Sequence, residues 1–230
     1  MSQIADNISN IRQEITKTCM KLGKKTEEVH LIAVTKTIEP ERINEAIACG
    51  ITDIGENKVQ EVINKYDLVS PVNWHMIGHL QTNKVKYIID KVKLIHSLDR
   101  ISLAEEIQKR AERINRSIDV LIQVNIGQEE TKSGIEPESV HNFIEALQTF
   151  SHIRVKGLMT VAPYEEDPEK VRIYFKAMRE IFEKIRAKKL SGIEMKYLSM
   201  GMTNDYKVAI EEGANMIRIG TAIFGSRIYR

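Results

Sequence analysis

Short apolar or β-branched runs recur along the chain at LIAVTK (31–36), TDIGEN (52–57), NWHMIG (73–78), LIHSLD (94–99), DVLIQVN (119–125), IRVKGLMT (153–160), YLSMG (197–201) and MIRIG (216–220). Each has the length of a strand. Between them lie stretches with apolar residues three or four apart, the spacing of a helix buried along one side. The clearest covers 168–190, where Val171, Tyr174, Phe175, Met178, Ile181, Phe182 and Ile185 make one stripe. Pro40, Pro137 and Pro168 stand near helix starts, where the missing N–H does no harm. Gly50 and Gly213 stand where helices should end, so the 41–50 stretch has both ends marked. A further helix is predicted over 3–22, with Ile4, Ile8, Ile11, Ile15 and Cys19 on one face.

Eight strands alternating with helices predict the α/β class and a single (β/α)8 barrel of the TIM type. No Pro/Gly/Ser-rich linker divides the chain, so one domain over 1–230 is expected. An open doubly wound sheet would usually carry a GxGxxG turn after its first strand, and none follows Val34. Ten residues follow the eighth strand, little room for a closing helix. The N-terminal helix is expected to cover the sheet near that seam.

Composition narrows the function classes. Of 230 residues, 42% are hydrophobic and 29% charged, the mix of an ordinary globular chain. The 34 basic and 32 acidic residues leave a formal charge of +2, which argues against a nucleic-acid binder. No apolar run approaches the ~18 residues of a membrane span, and the first ten residues do not read as a signal peptide. Cys19 and Cys49 both fall in helical segments without metal-type spacing, so reduced thiols and a cytoplasmic setting are expected. His75 and His79 are four apart, but on a strand that separates them by roughly 13 Å, so no metal site is predicted. Plentiful exposed charge and the lack of an unassigned apolar stripe favour a monomer.

In this barrel class chemistry sits at the C-terminal ends of the strands. Those ends carry Lys36, Glu56-Asn57, His79, Asn125, Ser199-Met200-Gly201 and Arg218-Ile219-Gly220-Thr221. Lys36 follows an apolar strand, where desolvation lowers an amine's pKa and favours the neutral form that attacks carbonyls. The plain alternative is a strand-end lysine snorkelling to solvent. The loops SMGMT (199–203) and GTAIFG (220–225) combine small residues and hydroxyls, as phosphate sites after strands seven and eight of such barrels do. The hydroxyls of Ser199 and Thr221 and the N–H groups around Gly201 and Gly220 would be the donors; tight turns are the alternative. Together, lysine and phosphate nest point to a phosphorylated carbonyl compound: pyridoxal 5′-phosphate, or a sugar phosphate of the aldolase kind. Arg218 shares a strand face with Gly220. Facing a pyridine nitrogen, its guanidinium could only donate, leaving that nitrogen unprotonated and the ring a poor electron sink. An ion pair with Asp205 is, from the residues alone, the stronger reading of Arg218.

LIAVTK, DIGEN, WHMIGHLQTNK (74–84), KSG (132–134), GLMT (157–160), SMGMTND (199–205) and RIGTAIFG (218–225) occur in this order over about residues 30–225. In these seven blocks the chain resembles the pyridoxal phosphate homeostasis protein family (YggS/PROSC type), similar in fold to the barrel domain of alanine racemase. The resemblance implies pyridoxal 5′-phosphate as cofactor, with Lys36 as the Schiff-base lysine. It places Ser199, Met200, Gly201, Gly220 and Thr221 in phosphate-binding blocks, Arg218 at the pyridine nitrogen and Asn57 beside the cofactor. The segment VNIGQEETKSG departs from the pattern, with Gly127 and Thr131 where serines are more usual. His79 and Lys132 are further residues near the mouth, His79 read as a rim residue.

Racemisation takes an acid/base group on each face of the substrate. In alanine racemases the second comes from a tyrosine of an additional domain, for which this chain has no room. Its own tyrosines, Tyr206 and Tyr229 included, read as packing. The expectation is therefore a carrier or buffer of pyridoxal phosphate without efficient catalysis, delivering to apo-enzymes. The alternative is a slow racemase or lyase acting on amino acids.

Overall fold

The alternating pattern is realised as eight parallel strands that close on themselves. The computed structural model describes residues 2–225. Strands β1 (His30–Val34), β2 (Asp53–Glu56), β3 (Asn73–Met76), β4 (Leu94–Leu98), β5 (Ile118–Gln123), β6 (Ile153–Met159), β7 (Ile193–Ser199) and β8 (Met216–Ile219) follow one another around the barrel. β8 pairs back to β1, with Ile32 beside Arg218. Parallel neighbours need crossovers, supplied by α2 (Pro40–Ala48), α3 (Val59–Lys65), α4 (Ile101–Arg113), α5 (Val140–Leu147), α6 (Arg172–Ala187) and α7 (Tyr206–Glu211). Pro40 opens α2, and Gly50 turns the chain after it at φ +85°.

The structure differs from the sequence expectation in three respects. The crossover from β3 to β4 has a 3-10 turn, Thr82–Tyr87, instead of an α-helix. There the β-branched Val85, Ile88, Ile89 and Val92 are all buried, so a tight irregular segment covers the sheet adequately. Most strands end before their apolar runs do, and Lys36 stands in a turn beyond β1 rather than at its end. β7 begins at Ile193, earlier than expected: Ile193, Met195 and Tyr197 alternate with the exposed Glu194 and Lys196, a half-buried strand start that is not a continuous apolar run. Cys49 is the cap residue just past α2, and both cysteines are free.

The predicted N-terminal helix is α1 (Gln3–Lys21), capped by Ser2, whose side chain accepts the Ala5 N–H. Ile4, Ile8, Ile11, Ile15 and Cys19 are buried along one face, against α2, α7 and the short α8 (Thr221–Phe224). The Asn7 side chain donates to the Ile223 carbonyl at 2.9 Å. α1 thus packs beside the closing strands β8 and β1, against α7 and α8. None of the described helices is long and apolar enough to cross a membrane.

Two apolar layers result. The larger fills the space between helices and strands. A smaller plug of Ile32, Leu94, Leu121, Met159 and Met216 fills the barrel interior. Gly157 permits the close packing of β6 on β7: at φ +147°, an added Cβ would meet the Tyr197 carbonyl oxygen at 1.8 Å. Beside the plug, inward positions of several strands carry buried polar side chains, among them His75, His96, Ser199 and Arg218.

Candidate functional site

Strand alternation sends Asp53, His75, His96, Ser199 and Arg218 into the barrel, where they join end to end. Asp53 Oδ1 lies 2.9 Å from His75 Nε2, and His75 Nδ1 lies 2.9 Å from His96 Nε2. His96 Nδ1 is 3.3 Å from the Ser199 hydroxyl, which accepts from Arg218 Nη1 at 2.7 Å. Burial pushes both imidazoles below their ordinary 6.5, so each is neutral near pH 7 and carries one proton. The carboxylate can only accept, so His75 holds its proton on Nε2. His75 Nδ1 must then accept from His96 Nε2–H, and His96 Nδ1 from the serine hydroxyl. Every donor in the chain points toward Asp53. Burial alone would raise Asp53, but its hydrogen bonds from His75 and Thr52 hold it below its ordinary 3.8.

Arg218 ends this chain on the mouth side. It is 4% exposed, and its Nη2 donates to the Thr160 carbonyl at 2.8 Å. The expected ion pair with Asp205 does not form. Asp205 instead accepts the Met202 N–H at 2.6 Å, closing the 202–205 turn. Burial pulls the guanidinium down to about 10, against the pull of Asp205's charge, so it stays a cation at neutral pH. No carboxylate among the described residues pairs with it; its nearest acceptors are a neutral hydroxyl and a neutral carbonyl.

The loops after β7 and β8 meet beside it. The Arg218 N–H donates to the Gly201 carbonyl at 3.0 Å, and the Thr221 hydroxyl lies 3.2 Å from that of Thr203. Gly201 has φ +93°, and an added Cβ would stand 2.6 Å from Ala209 Cβ. Gly220 caps α8 and packs against Val34, two residues before Lys36. Lys36, Asn57 and Gly220 are half-buried and Thr221 is exposed, all at the strand C-terminal ends. Asn57 follows the inward Asp53 and Gly55 in parity.

Two expected residues are placed differently. The Ser199 hydroxyl is not a mouth donor: at 0% exposure it is engaged by Arg218 and His96. Met200 turns its side chain into the outer core and gives its N–H to the Met216 carbonyl. Glu56 likewise faces outward, fully buried. His79 is exposed at the rim, 3.7 Å from Asp99, and Lys132 donates to the Ala162 carbonyl at 3.2 Å and pairs with Glu129. Tyr229 lies outside the described residues. No group of three potential metal ligands occurs among the described residues.

Sequence reasoning missed Asp53, His75, His96, Thr160 and Thr203 as site residues. The available signal was parity: histidines at inward positions of short apolar strands must find partners inside the barrel.

A parallel barrel with a buried arginine and a Gly/Thr nest at its mouth is a small-molecule-binding α/β barrel. Residues 1–228 match the family model described as the alanine racemase N-terminal domain. The chain is 46% identical over 226 residues to a pyridoxal phosphate homeostasis protein of Aquifex aeolicus, covering 97% of this chain and 98% of that protein. It is similar to PipY of Synechococcus elongatus, solved with pyridoxal phosphate bound: 30% identity, TM-score 0.83, covering 96% of this chain and 100% of that one. It shares the fold of an alanine racemase from Corynebacterium glutamicum, with 17% identity and TM-score 0.71, covering 98% of this chain and 60% of that one. The chain belongs to the pyridoxal phosphate homeostasis protein family, within the alanine racemase N-terminal domain class.

Proposed function

We propose that this chain holds pyridoxal 5′-phosphate in its barrel mouth, on Lys36, as an intracellular carrier or buffer without efficient catalysis. The observation that carries the reading is Arg218: a buried cation whose nearest partners are uncharged. Such a group is costly unless a ligand acceptor completes it, and a pyridine nitrogen is a neutral acceptor of the right kind. The PipY structure with pyridoxal phosphate bound, and the homeostasis name of the relatives, support the same cofactor.

When bound, the cofactor supplies an aldehyde carbon for a neutral amine and a phosphate for the far rim. Lys36 is the amine at the mouth. Thr221, Thr203 and the backbone around Gly201, Gly220 and α8 would hold the phosphate, with the positive end of that helix N-terminus favouring the anion. Asn57, just past the end of β2, would contact the ring. In this reading the Ser199 hydroxyl, buried against Arg218 and His96, anchors the guanidinium, and the phosphate contacts come from the two loops. Because Arg218 only donates, it keeps the ring nitrogen unprotonated, which weakens the electron sink that turnover needs. The reduced cysteines suit a cytoplasmic role, with apo-enzymes as recipients.

Adding pyridoxal phosphate to the purified protein should give a visible chromophore that borohydride fixes. α-Proton exchange of added amino acids should stay below the ~1–1000 per second typical of enzymes. Exchange within that range would replace the carrier reading with a racemase or lyase.

A further inference from the structure

Lys36 stands in a strained turn. The Ile38 N–H donates to the Thr35 carbonyl at 3.0 Å, closing a four-residue turn with Lys36 second and Thr37 third. Thr37 has φ +63°, a left-handed conformation in which a β-branched side chain is an outlier. Glycine or asparagine is the ordinary occupant of a third position with positive φ. A threonine persists there only where its surroundings over-determine the backbone.

Those surroundings come from α3 and β2. Lys65 Nζ donates to the Thr35 carbonyl at 2.9 Å, and the Thr37 N–H donates to Glu61 Oε2 at 2.6 Å. The peptide groups on both sides of Lys36 are therefore gripped by charged side chains. Lys65 also pairs with Glu61 and with Glu56, each at 2.9 Å, and the Thr35 hydroxyl donates to Glu56 Oε1 at 2.7 Å. Glu56 is fully buried, with no partner for Oε2, and Lys65 is 9% exposed. Burial pushes Glu56 up to about 7, against the pull of Lys65. As a source of stability such a cluster is poor value, since desolvation consumes most of the Coulombic gain. Its hydrogen bonds converge instead on the one turn that presents Lys36 to the mouth.

We propose that Glu61 and Lys65, braced by Glu56, are positioning residues that clamp the Lys36 turn and thereby set how long the cofactor stays on that lysine. This rests on the assignment of Lys36 as the cofactor's lysine. With the clamp loosened, Thr37 relaxes out of its left-handed conformation and the Lys36 backbone turns with it. A small displacement of a reacting group is amplified strongly in rate.

Two variants of the full chain test it, Glu61→Ala and Glu61→Gln, the second retaining a neutral acceptor for the Thr37 N–H. In the protein without cofactor, amide exchange at Thr37 should accelerate about tenfold or more in Glu61→Ala, the factor carried by one charge-assisted hydrogen bond. Loss of bound pyridoxal phosphate on dilution, followed by its visible absorbance, should accelerate in parallel, and Glu61→Gln should recover part of both effects. Unchanged exchange at Thr37, or faster exchange with unchanged release, would overturn the clamp. Borohydride labelling of the wild-type protein at a residue other than Lys36 would instead overturn the underlying assignment, and the clamp's purpose with it.

Discussion

A guanidinium buried without a carboxylate is held in place here by geometry instead of charge neutralisation. Arg218 leans on the Ser199 hydroxyl and the Thr160 carbonyl, and Ser199 in turn leans on His96, His75 and Asp53. The serine is therefore a structural link, which separates two otherwise similar roles. A serine donating to phosphate in the mouth would lower cofactor affinity on mutation and leave the protein's own stability nearly unchanged. Ser199→Ala instead strands two buried polar partners, at about 1–3 kcal/mol of unfolding free energy, which urea denaturation of the cofactor-free protein will show. A variant as stable as wild type would return Ser199 to the phosphate site. The position of Lys36 and Arg218 at the strand C-terminal ends was legible in the sequence, while their proposed roles came from the family resemblance. The histidine chain was not legible, because Asp53, His75, His96 and Ser199 come from four different strands. Only barrel closure decides which inward side chains touch. The Asp205 ion pair failed for a local reason: the carboxylate is already engaged by the backbone of its own turn.

At the scale of elements, the apolar periodicities carried most of the fold. The α1 stripe at three- and four-residue spacing marked a helix that lay outside the alternation. The structure places α1 against α7 and α8. Ile8, 2% exposed in the middle of the stripe, supports this packing. Ile8→Ala should destabilise the protein by about 2–5 kcal/mol, the cost of a large aliphatic deletion in a core; a loss under about 0.5 kcal/mol in chemical denaturation would show that α1 does not belong to the cooperative unit. Two elements were harder to read. The 3-10 crossover after β3 shares its spacing of buried residues with an α-helix, so periodicity alone does not separate them. The first half of β7 alternates apolar and exposed polar residues, so a search for continuous apolar runs starts the strand only at Tyr197.

Across the whole molecule, the buried ionisable groups set how stability varies with pH. His75 and His96 have folded-state values below their ordinary 6.5. The unfolded chain therefore takes up protons that the folded one refuses, and the stability present above pH 6.5 is lost as pH falls below it. Glu56 works in the opposite sense. Raised from 4.5 to about 7, it adds stability as pH falls across that window. Each group contributes at most one proton to the difference. Below pH 6.5 the three depressed imidazoles His30, His75 and His96 oppose the raised carboxyl of Glu56, so the melting temperature is expected to fall on acidification. Glu61 and Asp53, held below their ordinary 4.5 and 3.8, extend the loss at lower pH. Thermal scans of the cofactor-free protein between about pH 4 and 8 will show this fall, and His96→Asn should flatten its first part. A melting temperature that rose from pH 7 to 5 would mean that the imidazoles are not buried in neutral form.

The same barrel presents a lysine on a clamped turn, an arginine fixed from within and a hydroxyl-lined loop pair at one open end. Loading the protein with pyridoxal phosphate, reducing it with borohydride and locating the modified peptide by mass spectrometry tests the assignment of Lys36 directly. A single pyridoxyl label on Lys36 is expected; a label on another lysine, or none, would rule Lys36 out as the cofactor's lysine.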